Sequence, residues 1–314
     1  MIIDGHCDTL SVCLDTNKSL KDKDLNFNII DAQLLKTPVI QMMAAYISPQ
    51  KYVVKGKNKA WERTCNILNE FDKQKEILKN EIIQINSLKD IEQVIKMQKT
   101  GVILTIENGS AICGQLKRIE ELHNKGIKVM SITWNNDNEL GCGAYTTNDT
   151  GLAKLGREYI KKLQEKNIFI DISHSSEKTF WDTAKLTTKP IVATHSCVYK
   201  ICSNERNLTN EQIKEIAKSN GIIGICFYSK FLNSINKATI KDVVKHIKHI
   251  VNLVGINYVG FGTDFDGVNK NDLPLGITGI KDMNKVIKEL QLQGFSKQEI
   301  EKITGINWLR VLYR

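Results

Sequence analysis

The sequence predicts an α/β fold, a (β/α)8 TIM barrel with extra C-terminal helices, and three observations support this prediction. Eight short runs of apolar and β-branched residues, typical of buried parallel strands, are spread along the chain. Stretches with helical periodicity lie between most of these runs. At 314 residues the chain can complete one barrel, which takes about 250 residues. An open doubly wound sheet would more often have about five or six strands.

The predicted strands and helices alternate from the N-terminus to residue 263. The strands are Ile2–Gly5, Val39–Ile47, Gly101–Ile106, Ile127–Thr133, Ile168–Ile172, Ile191–Thr194, Gly221–Phe227 and Tyr258–Thr263. The helices between them are Lys59–Leu78, Leu116–Asn124, Leu152–Glu165, Lys178–Leu186, Asn210–Ser219 and Ile240–Val254. We expect one domain over residues 1–314, since no segment rich in proline or serine interrupts the alternation.

Two segments depart from this alternation. The first crossover, residues 9–38, is long and weakly periodic, so we expect it to be an excursion over the rim of the barrel. After residue 277 the periodicity predicts three helices that cover the barrel, at Lys281–Gln291, Ser296–Ile303 and Ile306–Tyr313.

The composition is typical of a globular protein, with 41% hydrophobic and 25% charged residues. The net charge of +9 could indicate an anionic partner, but the lysines are interspersed with acidic residues, which favours a solvated surface over nucleic-acid binding. No apolar run approaches the roughly 20 residues of a membrane span, and the N-terminus lacks signal-peptide features. We therefore expect a cytoplasmic protein with no nucleic-acid or membrane partner.

Titratable side chains follow the predicted strands at their C-terminal ends, where barrels build their active sites. Three of the six histidines in the chain stand there. Taken singly, such a histidine is more often structural and such an aspartate often caps a helix. Taken together, these side chains are the inventory of a metal site. They are His6, Asp8, Glu107, His174, His195, Asp264 and Asp266.

The spacing of these residues predicts two metal ions. His6 and Asp8 are two residues apart on an extended strand, so they point to the same side and can hold one ion. His174 and His195 can hold the second ion. Glu107 is the natural bridge, because the two oxygens of a carboxylate can bind two ions about 3.5–4 Å apart. Nitrogen and oxygen ligands favour zinc, with manganese or cobalt as substitutes.

Such a metal pair predicts hydrolysis as the reaction class. A water bridging two zinc ions has a pKa lowered toward about 7, which provides a hydroxide nucleophile at neutral pH. A thiolate ligand from Cys7, Cys142 or Cys197 is a less favoured alternative. The eight cysteines include no Cys-x-x-Cys pair, so we expect them to be reduced and mostly buried.

The other polar candidates have structural interpretations. His246 and His249 lie in a lysine-rich helical segment and His123 closes a helix, so we interpret all three as surface or packing residues. Arg206 follows the sixth predicted strand by a short loop, where its guanidinium could grip a substrate carboxylate with two parallel hydrogen bonds. A structural ion pair is an equal alternative for Arg206.

Six motifs occur in order near the ends of the predicted strands. They are Asp4-Gly5-His6-Cys7-Asp8, Ile106-Glu107-Asn108-Gly109, Ile170-Asp171-Ile172-Ser173-His174, Thr194-His195-Ser196, Arg206-Asn207 and Gly260-Phe261-Gly262-Thr263-Asp264-Phe265-Asp266-Gly267. Together they resemble the motifs of the renal or membrane dipeptidase family of zinc peptidases, peptidase family M19. Each motif alone is weak, but six in this order cover nearly the whole chain and are specific.

The resemblance implies a barrel of the metallo-dependent hydrolase type with two zinc ions, bridged by Glu107 and a water or hydroxide. In that family, dipeptides are the substrates, a D-residue is tolerated at the C-terminal side, some members open β-lactam rings, and homodimers are typical. The zinc ligands implied here are His6, Asp8, Glu107, His174 and His195.

The resemblance also implies roles for single residues. Asp264 would serve in proton transfer beside the catalytic Glu107, and Asp266 would support it. Arg206 would bind the carboxylate of the dipeptide, which would explain why longer peptides are rejected. The remaining residues assigned to substrate binding are Asn207, Trp134, Tyr228 and Phe231.

The chain departs from the family pattern in two respects. Trp134 stands where the mammalian enzymes have a histidine near the scissile carbonyl, and an indole N–H can donate a hydrogen bond but cannot carry a proton. The signal peptide and the C-terminal lipid-anchor signal of the membrane forms are also missing, so the soluble bacterial type is the closer comparison.

Two alternative functions are weighed against a dipeptidase. Another barrel amidohydrolase, such as a cyclic amidase or a deaminase, would often use a carboxylated lysine as the bridge, and no lysine stands at a strand end as Glu107 does. A non-catalytic binding protein on a barrel scaffold would fit Trp134 and the charge of +9, but the intact ligand set argues against it.

Overall fold

A computed structural model describes residues 1–53 and 57–313 of the chain. Its strands, all parallel, are β1 (Ile2–Cys7), β2 (Val39–Tyr46), β3 (Ile82–Gln84), β4 (Thr100–Glu107), β5 (Ile127–Ser131), β6 (Phe169–Asp171), β7 (Ile191–Ser196), β8 (Ile222–Ile225) and β9 (Val259–Phe261). Because β2 pairs with both β1 and β4, and β1 also pairs with β9, every strand except β3 belongs to one closed ring. The predicted (β/α)8 barrel is confirmed.

The short strand β3 is absent from the sequence-based prediction because it is only three residues long and partly exposed. It pairs with the first residues of β4, from Ile82 opposite Thr100 onward, whereas β5 pairs with β4 from Leu104 onward. The strand β3 therefore extends the sheet at the beginning of β4 and leaves the ring intact.

Helices surround the barrel, and within the described residues none is long and apolar enough to cross a membrane. They are α1 (Thr9–Thr16), α2 (Ile29–Leu34), α3 (Pro49–Tyr52), α4 (Lys59–Ile77), α5 (Leu88–Met97), α6 (Arg118–Asn124), α7 (Lys154–Glu165), α8 (Glu177–Leu186), α9 (Asn210–Lys218), α10 (Ser229–Leu232), α11 (Ile240–Val254), α12 (Met283–Leu292), α13 (Lys297–Glu301) and α14 (Asn307–Leu312). The six helices predicted between strands are confirmed with small shifts at their ends, as α4, α6, α7, α8, α9 and α11.

The first crossover, residues 9–38, contains two helices, α1 and α2, that the periodicity does not predict. The helix α1 buries polar Thr9 and Ser11 as well as apolar residues, so no apolar stripe reveals it. The helix α5 was also missed. It carries a sequence signal, since the side chains of Ser87 and Asp90 form a capping box at its start.

The helix α14 closes the end of the barrel where the strands begin, whereas α12 packs against α11. The sequence predicts that the C-terminal helices cover the barrel but does not predict at which end. Trp308 of α14 is fully buried, and its indole Nε1 donates a hydrogen bond to the Phe261 carbonyl at 2.9 Å. Glycines make room for this ring, because a Cβ at Gly5 would lie 2.3 Å from Trp308 Cζ2. Apolar strand residues such as Ile3 complete this inner core with Trp308.

His246 of α11 is a packing residue, as predicted. It is fully buried, its Nδ1 accepts a hydrogen bond from the Val198 backbone N–H at 3.0 Å, and its Nε2 lies 3.0 Å from the Leu232 carbonyl. Because the backbone amide can only donate, the ring is neutral with its proton on Nε2. Burial lowers the pKa of His246 to about 4.

This lowered pKa predicts a pH-dependent loss of stability. In the unfolded chain a histidine takes up a proton near pH 6.5, whereas the folded His246 stays neutral down to about pH 4. The free energy of unfolding therefore falls as the pH drops below about 6.5. Between pH 6.5 and 5 we expect a loss of about 2 kcal/mol from this residue. Urea unfolding of the wild type and of His246→Asn measures it. Equal pH dependence in the two proteins would contradict this expectation.

Candidate active site

The C-terminal ends of the strands surround a cavity of about 510 Å³. Its lining includes the predicted residues Asp8, Glu107, Trp134, His174, His195, Arg206, Tyr228, Phe231 and Asp264. His6 contacts this lining, with Nε2 3.5 Å from Glu107 Oε2. The fold thus brings together side chains that are more than 250 positions apart in the sequence.

Two other predicted residues form structural hydrogen bonds. Asn207 lies outside this cavity, and its Nδ2 donates to the Phe231 carbonyl at 2.8 Å, a position that does not support its assignment to substrate binding. Asp266 accepts hydrogen bonds from Thr9 Oγ1 at 2.6 Å and from the Asn26 backbone N–H at 2.7 Å. Asp266 therefore anchors the first crossover to the end of β9, which agrees with a supporting role.

One half of the site is built around His6, which comes from the end of β1. Its Nε2 lies 3.5 Å from Glu107 Oε2, 3.7 Å from Asp8 Oδ2 and 3.9 Å from Asp264 Oδ1. Asp264 follows β9 with a φ of 63°, a left-handed conformation that aspartate tolerates better than most residues. Asp264, for which the family resemblance implies proton transfer, therefore also lies where it could bind a metal ion with His6 and Asp8.

The other half of the site lies between the ends of β6 and β7. His174 Nε2 is 2.7 Å from Glu107 Oε1 and 2.8 Å from His195 Nε2, and His195 Nε2 is 3.7 Å from the same oxygen. All three side chains are buried. Glu107, at the end of β4, therefore directs one carboxylate oxygen toward each half of the site.

The arrangement fits a divalent metal. The buried atoms His6 Nε2, Asp8 Oδ1 and Glu107 Oε2 have no hydrogen-bond partner among the described residues, and such orphaned groups are costly unless a ligand satisfies them. Two sets of three ligand atoms lie within 4.8 Å of one another, one from His6, Glu107 and His195 and the other from His6, Asp8 and Asp264. Imidazole nitrogens and carboxylate oxygens are common zinc ligands.

Burial shifts the pKa values of the carboxyl groups and of two histidines in the site. Burial, reinforced by the charge of Asp8, raises the pKa of Glu107 to about 8, and burial raises the pKa of Asp264 to about 7. Burial also lowers the pKa of His174 and His195 well below their usual range, which leaves neutral rings with free lone pairs. A bound cation would displace protons from Glu107 and Asp264 and would accept the lone pairs of His174 and His195.

Arg206 lies beside this cluster and is 2% exposed. Its Nη2 lies 3.2 Å from the His195 carbonyl and its guanidinium stacks over the Phe231 ring, with 5.3 Å from Cζ to the ring centroid. The atoms Nε and Nη1 have no hydrogen-bond partner among the described residues. This favours the interpretation that Arg206 binds a ligand over the alternative of a structural ion pair.

Aromatic side chains form the wall of the cavity. The Trp134 ring stacks on the His174 ring with centroids 5.9 Å apart, and it lies 5.7 Å from the ring of Tyr46. Tyr46 is absent from the sequence-based assignments, although it ends β2 directly opposite Glu107 in the pairing of β2 with β4. The rule that strand-end side chains enter the site, applied to the second strand, would have identified it.

A closed parallel barrel whose strand ends carry buried imidazoles and carboxylates defines the class of barrel metallohydrolases. The model of one family, membrane dipeptidase (peptidase family M19), matches residues 1–314. An uncharacterized protein in the pqqA 5′ region of Klebsiella pneumoniae is 31% identical over 236 residues, which cover 72% of this chain and 86% of the relative. The chain belongs to the membrane dipeptidase family and is a metallo-dipeptidase hydrolase of that family.

Solved structures agree with this fold. A metallopeptidase from Rhodobacter sphaeroides, solved with a phosphinate mimic of the dipeptide L-Ala-D-Ala, has a TM-score of 0.89 at 21% identity, covering 99% of this chain and 98% of its own. A dipeptidase of family M19, dipeptidase AC, has a TM-score of 0.89 at 22% identity, covering 100% and 99%. The resemblance inferred from the six motifs is confirmed.

The orphaned ligand atoms predict that zinc stabilises the folded protein. Free zinc at 100 times its dissociation constant would add about 2.7 kcal/mol per site. We expect chelation to lower the melting temperature and zinc to restore it, as measured by differential scanning calorimetry. His174→Ala should lose the part of this response that comes from the half of the site between β6 and β7, while His123→Ala, at an exposed histidine, should keep the whole response. An unchanged melting temperature of the wild type after chelation, with zinc loss verified by elemental analysis, would contradict the prediction.

Proposed function

We propose that this protein is a binuclear zinc dipeptidase that hydrolyses dipeptides, including those with a C-terminal D-residue. The observation that supports this most directly is the meeting of three imidazoles and three carboxylates beside an arginine with unpaired nitrogens. The residues that would hold the metal ions are His6, Asp8, Glu107, His174 and His195, with Asp264 as a further candidate.

Bound zinc would supply Lewis acidity and an activated water as the nucleophile. Glu107 would bridge the two halves of the site, since its Oε1 lies 2.7 Å from His174 Nε2 and its Oε2 lies 3.5 Å from His6 Nε2. Asp264 would pass a proton to the leaving amine. Its side chain is only 13% exposed yet lines the cavity, a position from which a carboxyl group can exchange a proton with a bound substrate.

Arg206 would bind the C-terminal carboxylate of the substrate. Its Nε and Nη1 have no hydrogen-bond partner among the described residues, so their N–H groups are available to donate to a carboxylate. Trp134, Tyr228 and Phe231 would bound the space around the substrate side chains, and the last two rings contact each other edge to face with centroids 4.8 Å apart. A longer peptide has no carboxylate at this distance from its first peptide bond.

Other parts of the proposal rest on different observations. The Rhodobacter sphaeroides relative was solved with a mimic of L-Ala-D-Ala, which motivates the inclusion of L,D-dipeptides as substrates. The cysteines form no disulfide and most are buried, which suits the reducing cytoplasm. The homodimer follows from the family resemblance, and one domain over residues 1–314 follows from the unbroken alternation of strands and helices.

The proposed activity is tested with zinc-loaded protein and a panel of L,L- and L,D-dipeptides. Hydantoins and nucleobases serve as substrates of the alternative amidohydrolases. We expect turnover of dipeptides, loss of turnover on chelation, and no reaction with the other two classes. A protein that holds two zinc ions and cleaves no dipeptide would contradict the proposal, and turnover of a hydantoin or nucleobase would favour the alternative.

The role of Arg206 predicts the effect of Arg206→Met, which keeps the length of the side chain but removes its charge. The loss of a buried charge-assisted pair costs about 2–3 kcal/mol, so kcat/KM for a dipeptide should fall about 30- to 150-fold. The comparison substrate is the same dipeptide with its C-terminal carboxylate converted to an amide. The wild type should prefer the free acid strongly and Arg206→Met should not. An equal preference in both proteins would refute this role.

A further inference from the structure

We infer that Asn135, Thr194 and Asp171 are positioning residues that hold His174 and His195 in the one tautomer able to bind metal through Nε2. The inference rests on the proposed metal site, but its evidence is the hydrogen bonding of the far side of each ring. Metal-binding histidines usually direct their other ring nitrogen to a carboxylate, a carbonyl or water, which fixes the tautomer. The sequence assigns no role to Asp171 or Thr194, which appear there only within two of the six motifs.

For His174 the tautomer follows from the group that faces each ring nitrogen. The side-chain oxygen of Asn135 lies 2.8 Å from Nδ1 and can only accept a hydrogen bond, so Nδ1 carries the proton. The neutral ring then has its lone pair on Nε2. This lone pair faces Arg206 Nη2, which can only donate, at 3.3 Å. It also faces the carboxylate oxygen Glu107 Oε1 at 2.7 Å, a contact that a bound cation would relieve.

For His195 the tautomer is determined through a relay. Nδ1 lies 2.9 Å from Thr194 Oγ1, and that hydroxyl donates to Asp171 Oδ2 at 2.6 Å. A hydroxyl has one proton, and a carboxylate accepts but does not donate, so Thr194 receives the hydrogen bond from the His195 Nδ1–H. His195 Nε2 is therefore also a lone pair. The two Nε2 atoms face each other at 2.8 Å, an arrangement that a shared cation relieves.

Asp171 orients both histidines. It is 4% exposed, and its Oδ1 accepts hydrogen bonds from the Ser173 backbone N–H at 3.0 Å, from Ser173 Oγ at 2.6 Å and from the Thr194 backbone N–H at 3.0 Å. These bonds fix the turn that leads to His174 and join β6 to β7. One carboxylate therefore sets the relative position of the two rings as well as the tautomer of His195.

The inference is tested first at Asn135, which is only half-buried, so its replacement should leave the fold intact. Asn135→Leu removes the acceptor, whereas Asn135→Asp keeps it. Outer partners of this kind contribute about 10- to 100-fold in metal affinity. We expect that loss of zinc affinity for Asn135→Leu and near wild-type affinity for Asn135→Asp, as measured by competition with a chromophoric chelator. Asn136→Ala, at the exposed neighbouring position, is the matched control and should be unaffected.

The pair Thr194→Val and Thr194→Ser tests the relay in the same assay. Valine has the shape of threonine without its hydroxyl, and serine restores the hydroxyl, so zinc affinity should fall in the first variant and recover in the second. Unchanged zinc affinity in both Asn135→Leu and Thr194→Val would overturn the inference.

A second measurement separates this inference from the proposed function. Long-range 1H–15N spectra of metal-free protein labelled at histidine report the tautomer of each ring directly. We expect the Nδ1–H form for His174 and His195, with the His174 preference lost in Asn135→Leu. The Nε2–H form for either ring in the wild type would overturn the inference whether or not the protein cleaves dipeptides. Absence of dipeptide turnover with both rings in the Nδ1–H form would contradict the proposed function alone.

Discussion

The buried carboxylate of Glu107 is the constraint on which the rest of the site depends. It is 4% exposed, and its two oxygens face His174 at 2.7 Å and His6 at 3.5 Å. Burial makes its negative charge expensive, and no lysine or arginine forms an ion pair with it among the described residues. The groups around it are imidazole nitrogens and further carboxylates, which cannot all be satisfied by one another. A site built in this way is completed by cations.

The closed barrel explains how such a cluster can form. Asp4 of β1 accepts hydrogen bonds from the Thr263 backbone N–H at 2.7 Å and from Thr263 Oγ1 at 2.5 Å, which joins the first strand to the loop after the last. Asp4 is two residues before His6, and Thr263 is next to Asp264, so this bond brings the two ends of the ring into contact. Asp171 plays the same part between β6 and β7. Buried aspartates thus hold the strand ends while their neighbours provide the ligands.

The opposite end of the barrel contributes stability. Trp308 fills the space above two strand glycines, and a Cβ at Gly260 would lie 2.8 Å from its Nε1. The apolar residues around it belong to the beginnings of the strands. The same strands therefore contribute apolar residues to the core at their beginnings and polar residues to the site at their C-terminal ends. β1 shows the division, since Ile3 packs in the inner core while His6 enters the site.

The sequence was sufficient to predict the barrel and the side chains that meet at its mouth, because both follow from local patterns. Apolar runs mark strands, and the residue after each run must lie at the same edge. The hydrogen bonds that orient those side chains could not be predicted in this way. Thr194 lies beside His195 in the sequence, but its partner Asp171 is 23 positions away, and that pairing depends on the register of β6 and β7.

Asn135 illustrates the same limit, because its contact with His174 spans 39 positions and joins two loops. The two helices of the first crossover were missed for another reason. Its helices bury polar as well as apolar residues, so periodicity alone does not reveal them.

We propose two metal ions, one on each side of Glu107. Crystals of the zinc-loaded protein, measured with X-rays above and below the zinc absorption edge, test this proposal directly. We expect two anomalous peaks about 3.5–4 Å apart, one near His6 and Asp8 and the other near His174 and His195. A single peak, or peaks elsewhere on the protein with none at Glu107, would contradict it.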